Sequence, residues 1–273
     1  MTDLIPAHRS GLLIALLLLA TAPAFAQTAP LNDTGQITCY NDSAATGTVS
    51  PATPDPEQPG FTGQDCTQGR SAADALGTLV KIGASTTPGR DYTKIANDGS
   101  VLPASATLGS GPGDWACTRD NVTGLIWEVK VDDDAHLRHY NHIYEWYDTN
   151  TAINGGDPGS TGDNTCNSTL PDNLCNTSAF RDAVNALGLC GATDWRLPTA
   201  NELQSLVDYD TGTAPCIDVV WFPNSSMSGL WSGETYVSGF FDGAWYVSFN
   251  SGYLYASSKY SSFHHVRLVR GGQ

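Results

Sequence analysis

The stretch Ala-Trp-Tyr-Val-Ser-Phe-Asn at residues 244–250 alternates large apolar side chains with polar ones. In an extended chain, Trp245, Val247 and Phe249 lie on one side and the residues between them lie on the other. This period of two predicts a strand with one buried face and one solvated face. Ser251-Gly252 permits a turn directly afterwards, so a second strand should pair with the first.

Two helices are predicted upstream of this strand. Apolar residues recur at helical spacing over residues 179–187, after a Thr177/Ser178 cap and before Gly188. The second helix should begin at Thr199, which forms a capping box with Glu202. A last strand is expected over residues 266–269, where Val266 and Leu268 lie on the same side. Helices followed by short antiparallel strands predict an α+β fold stapled by disulfides.

The amino-terminal residues have the pattern of an export signal. Arg9 precedes an apolar run at residues 11–20, and Ala24-Phe25-Ala26 is an A-x-A cleavage site. A membrane span needs roughly 20 apolar residues, and this run is about half as long. We therefore predict a signal peptide over residues 1–26, cleaved after Ala26, with no membrane span. The mature chain would be secreted, on the cell surface or periplasmic.

Composition divides the mature chain in two. Residues 27–113 are rich in Gly, Pro and Thr and can bury little apolar surface, which predicts a loop-rich extension. All seven tryptophans lie at or after Trp115. Because large aromatic side chains supply most of a core's apolar area, the folded domain is expected over residues 114–273.

Seven cysteines follow the signal peptide, and an oxidising compartment would join them in disulfides. Cys166 and Cys175 could close a polar loop, and Cys39 and Cys66 could staple the extension. The remaining connectivity stays open at this point. Because seven is odd, one thiol is free or pairs between chains, which leaves a homo-oligomer open. The disulfide candidates are Cys39, Cys66, Cys117, Cys166, Cys175, Cys190 and Cys216.

The chain carries a formal net charge of -15. Nucleic-acid binding requires clustered Lys and Arg, so this charge argues against it. It also argues against the binding of sulfated polysaccharides through a general electrostatic attraction.

Residues 246–265 hold four Tyr, six Ser, two His and two Phe, and no acidic residue follows Asp242. Tyr offers stiff, amphipathic contact area and Ser offers adaptable hydrogen bonds, as in antibody-type binding sites. A solvated sheet without a partner is the alternative. We predict a surface for a glycan or protein ligand, with no cofactor and no metal. The candidate residues are Tyr246, Ser248, Asn250, Tyr253, Tyr255, Ser257, Tyr260, Phe263, His264 and His265.

An ordered series of motifs resembles a known family. It comprises Asn121–Trp127, Trp195–Thr199 with Glu202-Leu203, Trp221-Phe222-Pro223, Leu230-Trp231-Ser232, Ala244–Val247 and Val266–Arg270. The series resembles the C-terminal domain family of the Legionella collagen-like adhesin. The resemblance covers about residues 115–270. It implies an adhesin-like role and a C-type-lectin-like domain with two short helices.

That fold is shared by formylglycine-generating enzymes, so a metal-dependent or oxidative enzyme is an alternative. Those enzymes carry a copper-binding cysteine pair near the C-terminal core, whereas this sequence has no cysteine after Cys216. The fold also occurs in proteins that retroelements diversify at adenines of Asn codons. All ten candidate positions hold products of such mutation, so the resemblance implies a diversifiable surface, with a fixed surface as the alternative.

A metal site and a purely structural role are two further alternatives. Asp132-Asp133-Asp134 is followed by His136, His139 and His142, and these residue types are suitable ligands. Their spacing drifts around a helix and does not form H-E-x-x-H, which favours a solvated polar loop. A structural envelope component would use the odd cysteine for assembly.

Overall fold

A computed structural model describes residues 32–237 and 242–271. The predicted signal peptide lies outside the described residues. No helix in the described part of the chain is long and apolar enough to cross a membrane.

The described chain is built from short elements. The strands are β1 (Thr38–Tyr40), β2 (Ala45–Thr48), β3 (Tyr92–Ala96), β4 (Val101–Leu102), β5 (Trp115–Asp120), β6 (Ile126–Glu128), β7 (Gly229–Val237), β8 (Asp242–Ser248), β9 (Leu254–Ser258) and β10 (Val269–Arg270). The α-helices are α1 (Asp65–Gln68), α2 (Arg70–Ala75), α3 (Thr177–Leu187) and α4 (Ala200–Ser205). The α+β class predicted from the sequence is confirmed.

Three antiparallel sheets organise these strands. β1 pairs with β2 near the amino terminus. A five-stranded sheet has the order β10-β6-β5-β3-β4, and a three-stranded sheet has the order β7-β8-β9. β3 and β4 come from the stretch that composition separates as an extension, yet β3 pairs along its whole length with β5. That stretch therefore belongs in part to the five-stranded sheet. Its residues Tyr92, Ile95 and Ala96 are buried there.

The cap of helix α3 lies one residue before the predicted Thr177/Ser178 cap. The Asn176 side chain accepts a hydrogen bond from the Ala179 backbone N–H, so Asn176 is the cap and Thr177 is the first helical residue. Thr177 instead bonds the backbone of Tyr147 at 2.9 Å. Gly188 ends the helix in the left-handed conformation, as its lack of a side chain predicts.

Helix α4 begins with the predicted capping box. The Thr199 hydroxyl accepts from the Glu202 N–H at 3.1 Å, and a Glu202 carboxylate oxygen accepts from the Thr199 N–H at 2.7 Å. Both terminal nitrogens of the Arg196 guanidinium also donate to this carboxylate, at 2.8 and 2.6 Å. The Arg-Leu-Pro-Thr-x-x-Glu spacing thus serves to fix the entry of this helix.

Three disulfides join the described chain: Cys39–Cys66, Cys117–Cys190 and Cys166–Cys175. The two pairs suggested by the sequence are confirmed. The third ties β5 to the turn after α3. Cys216 is the free cysteine.

The predicted last strand is shorter than expected. Only Val269 and Arg270 form β10, because residues 265–268 cross from one sheet to the other. His265 bridges to Leu230 beside the three-stranded sheet, and Val269 pairs with Trp127 in the five-stranded sheet. Val266 and Leu268 are fully buried along this crossing.

Candidate functional site

The three-stranded sheet places aromatic side chains in one line. Tyr246 of β8 is paired with Trp231 of β7 on one side and with Tyr255 of β9 on the other. Directly paired residues point to the same face of a sheet, and so do residues two apart in a strand. Tyr253 therefore joins the same face.

Ring contacts run continuously along this line. The Tyr253 and Tyr255 centroids are 6.4 Å apart, and Tyr255 stacks on Tyr246 at 5.6 Å. His264 stacks on Tyr246 at 3.9 Å and meets the edge of Trp231 at 4.5 Å. We name Tyr253, Tyr255, Tyr246 and His264 the aromatic row.

Exposure falls along the aromatic row toward the core. Tyr253 is 61% exposed and Tyr255 is 43% exposed, whereas Tyr246 and His264 are half-buried. Trp231 is fully buried, and its indole N–H donates to the Tyr144 carbonyl at 2.8 Å. The row is thus anchored at its inner end and open to solvent at its outer end, which pre-orients its rings for contact.

The opposite face of the sheet carries the predicted apolar set. Val247 and Phe249 are buried in one core cluster, and Leu254 packs against that cluster. Trp245 is only half-buried and meets Tyr236 edge to face at 4.8 Å. The alternation in residues 244–250 thus puts Val247 and Phe249 in one core cluster, whereas Ala244 and Trp231 on the other face belong to a second cluster. We call this other face, which opens to solvent beyond Tyr246, the contact face.

Two serines of the candidate set lie on the contact face. Ser257 lies two residues after Tyr255 in β9, and Ser248 lies two residues after Tyr246 in β8, so both serines lie on the same face as these tyrosines. The Ser257 hydroxyl donates to Ser262 at 2.7 Å, and the Ser248 backbone closes the turn by donating to the Tyr253 carbonyl at 2.9 Å. Asn250 lies exposed in that turn.

The remaining candidates lie elsewhere. Tyr260 turns to a Gly-rich loop, where its hydroxyl donates to Asp157 at 2.5 Å and this bond raises the pKa of Tyr260 to about 12. Phe263 is 37% exposed in the loop before His264. His265 is 6% exposed and uses Nδ1 to bond the His142 carbonyl at 2.9 Å, so it is not on the contact face.

The aromatic row and its two serines carry no formal charge, and on the same face of β8 Asp242 lies exposed at the far end of the strand. Lys259 is 2% exposed, with its ammonium donating to the Asn154 and Asp157 carbonyls at 2.8 Å each. Arg267 is also buried, and Arg270 pairs with Asp194. Burial lowers the pKa of His264 to about 4, with a smaller contribution from the charge of neighbouring His265. The His264 ring is therefore neutral at pH 7.

The metal alternative finds little geometric support in the described residues. His136 accepts a hydrogen bond from the Arg138 backbone, and His142 bonds the Asp134 carbonyl. In the described part of the chain, the one cluster of three potential ligands is Cys39, Glu57 and Cys66. Its two sulfurs form a disulfide and are not thiolates.

Residues 116–270 match the family described as the Lcl C-terminal domain. This chain belongs to the Lcl C-terminal domain family. Neither the curated proteins nor the solved structures contain a significant match. The Lcl C-terminal domain match spans β5 through β10 and so includes the whole aromatic row. The kinship with C-type-lectin-like and formylglycine-generating proteins stays a prediction.

Sequence reasoning missed two residues that hold the aromatic row and the adjoining loop in place. Trp231 was visible only as part of the motif Leu230-Trp231-Ser232, with no sign that it closes the aromatic row. Lys259 was read as a charge in the Tyr/Ser window, whereas its ammonium lies 4.5 Å from the centre of the Trp146 ring and is buried. A lone lysine in a stretch without acids was the available signal.

Proposed function

We propose that this protein is an exported, adhesin-like binding protein whose aromatic row contacts a glycan or protein ligand. The observation that carries the proposal is the continuous series of ring contacts from buried Trp231 to exposed Tyr253. Rigid, partly exposed aromatic rings with adjacent hydroxyls supply contact area at low entropic cost. Family membership supports a surface role, and three disulfides in the described chain fit an oxidising compartment.

Binding at this face should depend on stacking and neutral hydrogen bonds. Because the aromatic row is uncharged and the chain is acidic, we expect little loss of affinity when salt rises from about 50 to about 500 mM. Screening becomes strong over this range, since the Debye length is about 10 Å at 0.1 M salt and about 3 Å at 1 M. Sulfated glycans should have no advantage over neutral ones. A steep fall of affinity with salt would contradict this ligand class.

Removing the two exposed rings tests the site. In the double variant Tyr253→Ala/Tyr255→Ala, we expect at least about 30-fold weaker binding, corresponding to roughly 2 kcal/mol, since two aromatic contacts are lost. A glycan array and a pull-down of surface proteins identify the ligand, and calorimetry measures its affinity. Tyr40→Ala is the matched control, because Tyr40 is 46% exposed on β1, away from the row. Equal affinity of the double variant and the wild type would refute the site.

The alternatives make different predictions. An oxidative or metal-dependent enzyme would contain stoichiometric copper or zinc, which metal analysis of the purified protein detects. A structural component assembled through Cys216 would run as a covalent dimer on non-reducing electrophoresis. Diversification of the surface stays a prediction, and it requires a near-identical template copy beside a reverse transcriptase gene, differing only at adenines.

A further inference from the structure

A cleft of about 370 Å³ lies apart from the aromatic row. It is enclosed by the loop of residues 148–162, the beginnings of α3 and α4, the segment of residues 196–199, and β7. Its volume is in the range of roughly 300 to 1,000 Å³ that is typical of small-molecule sites. No residue of the aromatic row lines the cleft.

Apolar side chains form one part of the lining. Leu197 and Pro198 come from the segment before α4, and Ile153 comes from the loop. Pro198 is buried, whereas Ile153 is 47% exposed. The lining therefore passes from buried to exposed residues, and the cleft is open to solvent.

Both guanidinium groups of the cleft are already held by carboxylates. Arg181 donates to Asp148 at 3.2 Å and to Asp182 at 2.8 Å. Both terminal nitrogens of Arg196 donate to Glu202. Because three carboxylates offset these two cations, the arginines do not give the cleft a net attraction for anions.

Glu234 is an acid of the cleft without a cationic partner. Within residues 32–237 and 242–271 it forms no ion pair. Its Oε2 accepts the Ala200 backbone N–H at 2.7 Å, whereas Oε1 accepts no hydrogen bond from the described chain. Glu234 is an exposed residue, so its charge is available to a ligand. Four carboxylates against two guanidiniums leave two negative charges in excess.

The acids that line the cleft do not converge on one point. The oxygens of Asp148, Glu202 and Glu234 do not all come within 4.8 Å of one another in the described structure. Ca²⁺ holds its oxygen ligands at about 2.3 to 2.6 Å, so three ligands of one ion must lie closer together than this. An organic cation needs only one carboxylate, and it also uses the apolar lining.

We propose that this cleft binds an organic cation, namely an ammonium or guanidinium group on a short apolar stem. Such a group occurs in a lysine or arginine side chain and in a free alkyl amine. Glu234 accepts hydrogen bonds from the cation, while Leu197 and Pro198 contact the stem. The net charge of -15 favours the approach of a cation. The site does not rest on the ligand proposed for the aromatic row.

A titration of the ¹⁵N-labelled full chain with two matched probes tests the proposal. Nα-acetyl-lysine N-methylamide carries the cation, and the norleucine equivalent has a similar stem without it. We expect the lysine probe to bind with a Kd of about 1 mM, as its few atoms imply, and to shift the Ile153 and Gly233 amide signals. The norleucine probe should bind at least about tenfold more weakly. Equal affinities, or no binding of the lysine probe at about 20 mM, would overturn the proposal.

A third probe distinguishes the two sources of the cation. n-Butylammonium carries the same charge and stem without a peptide backbone. Binding of both cationic probes supports a site that a basic side chain of another protein can enter. Binding of n-butylammonium alone supports a site for a free amine. Failure of both cationic probes refutes the site.

Variants localise the binding. Glu234→Gln should weaken the lysine probe at least about tenfold, because the charge is lost while the amide oxygen still accepts the Ala200 N–H. Glu57→Gln removes the same charge outside the cleft and should keep the affinity. Tyr253→Ala/Tyr255→Ala should also keep it. An equal loss in Glu57→Gln would indicate a general charge effect, and a loss in the tyrosine variant would place the cation on the exposed rings; either result refutes the site.

Should Glu234→Gln not fold, the wild-type signals give an independent answer. Shifts centred on residues 148–162 and 196–202 support the cleft. Shifts centred on β9 overturn it and leave the aromatic row as the binding surface.

Discussion

The adjacent histidines 264 and 265 show how burial changes the chemistry of a residue. Desolvation lowers the pKa of His265 to about 4, although its bond to the His142 carbonyl acts in the opposite direction. Nearby Lys130 and His142 lower the pKa further. The ring is therefore held neutral inside the fold, whereas in the unfolded chain it would titrate near its ordinary value.

This difference predicts acid sensitivity. Because the folded-state pKa values of both histidines are below the unfolded value, the unfolded chain binds more protons between pH 6.5 and 4. The free energy of unfolding should be highest above pH 6.5 and fall as the pH drops to 4. His265 alone should contribute a loss on the order of 3 kcal/mol. Urea unfolding at pH 7.5, 6, 5 and 4 measures it.

His265→Asn provides the control for that experiment. The Asn amide can replace the Nδ1 donor to the His142 carbonyl, but it does not titrate. We expect a shallower pH profile, with the remaining slope contributed in part by His264. An unchanged profile would show that His265 is not the group responsible.

At the scale of elements, one lysine joins the end of β9 to the loop of residues 148–162. The buried Lys259 ammonium satisfies two loop carbonyls and covers Trp146, and the following residue, Tyr260, bonds Asp157. The loop itself holds few apolar side chains. Its conformation therefore depends on these polar contacts.

Lys259→Met should loosen this loop. Two buried carbonyls would lose their donor, at a cost of roughly 2 kcal/mol in the free energy of unfolding. Amide hydrogen exchange over residues 148–162 should accelerate. Lys81→Met is the matched control, because Lys81 donates to the Ser85 and Thr87 carbonyls in a different loop. Exchange over residues 148–162 that is unchanged in Lys259→Met would contradict this role.

At the scale of the whole molecule, the disulfides differ in how much chain they constrain. Cys117–Cys190 closes a loop of 73 residues, whereas Cys166–Cys175 closes one of 9. The longer link restricts the unfolded chain more strongly. It also joins the five-stranded sheet to the turn that follows α3.

Loss of the long link should therefore cost more. We expect Cys117→Ser/Cys190→Ser to lower the free energy of unfolding by about 4 kcal/mol and Cys166→Ser/Cys175→Ser by about 2.5 kcal/mol. Denaturant unfolding gives both values. Mass spectrometry after alkylation of the native wild type should find one modified thiol, Cys216. The reverse order of the two losses would show that strain or residual structure outweighs loop length.

Local patterns in the sequence were sufficient for local structure. The alternation in residues 244–250, the capping box at Thr199 and the glycines at 188 and 252 each depend on neighbours within a few residues, and the structure has the predicted strand, helix start and turns. The family motifs were also readable, because they form a linear order along residues 115–270.

Long-range pairing was decided only by the tertiary structure. The entry of β3 into the main sheet, the partner of Cys117 and the stacking of His264 on Tyr246 join residues far apart in the chain. Composition alone did not distinguish the individual Tyr, Ser and His residues of the stretch 246–265 from one another. Register and burial then placed some of them on one face and turned Tyr260 and His265 away, since a side chain's surroundings depend on elements that its own segment does not contain.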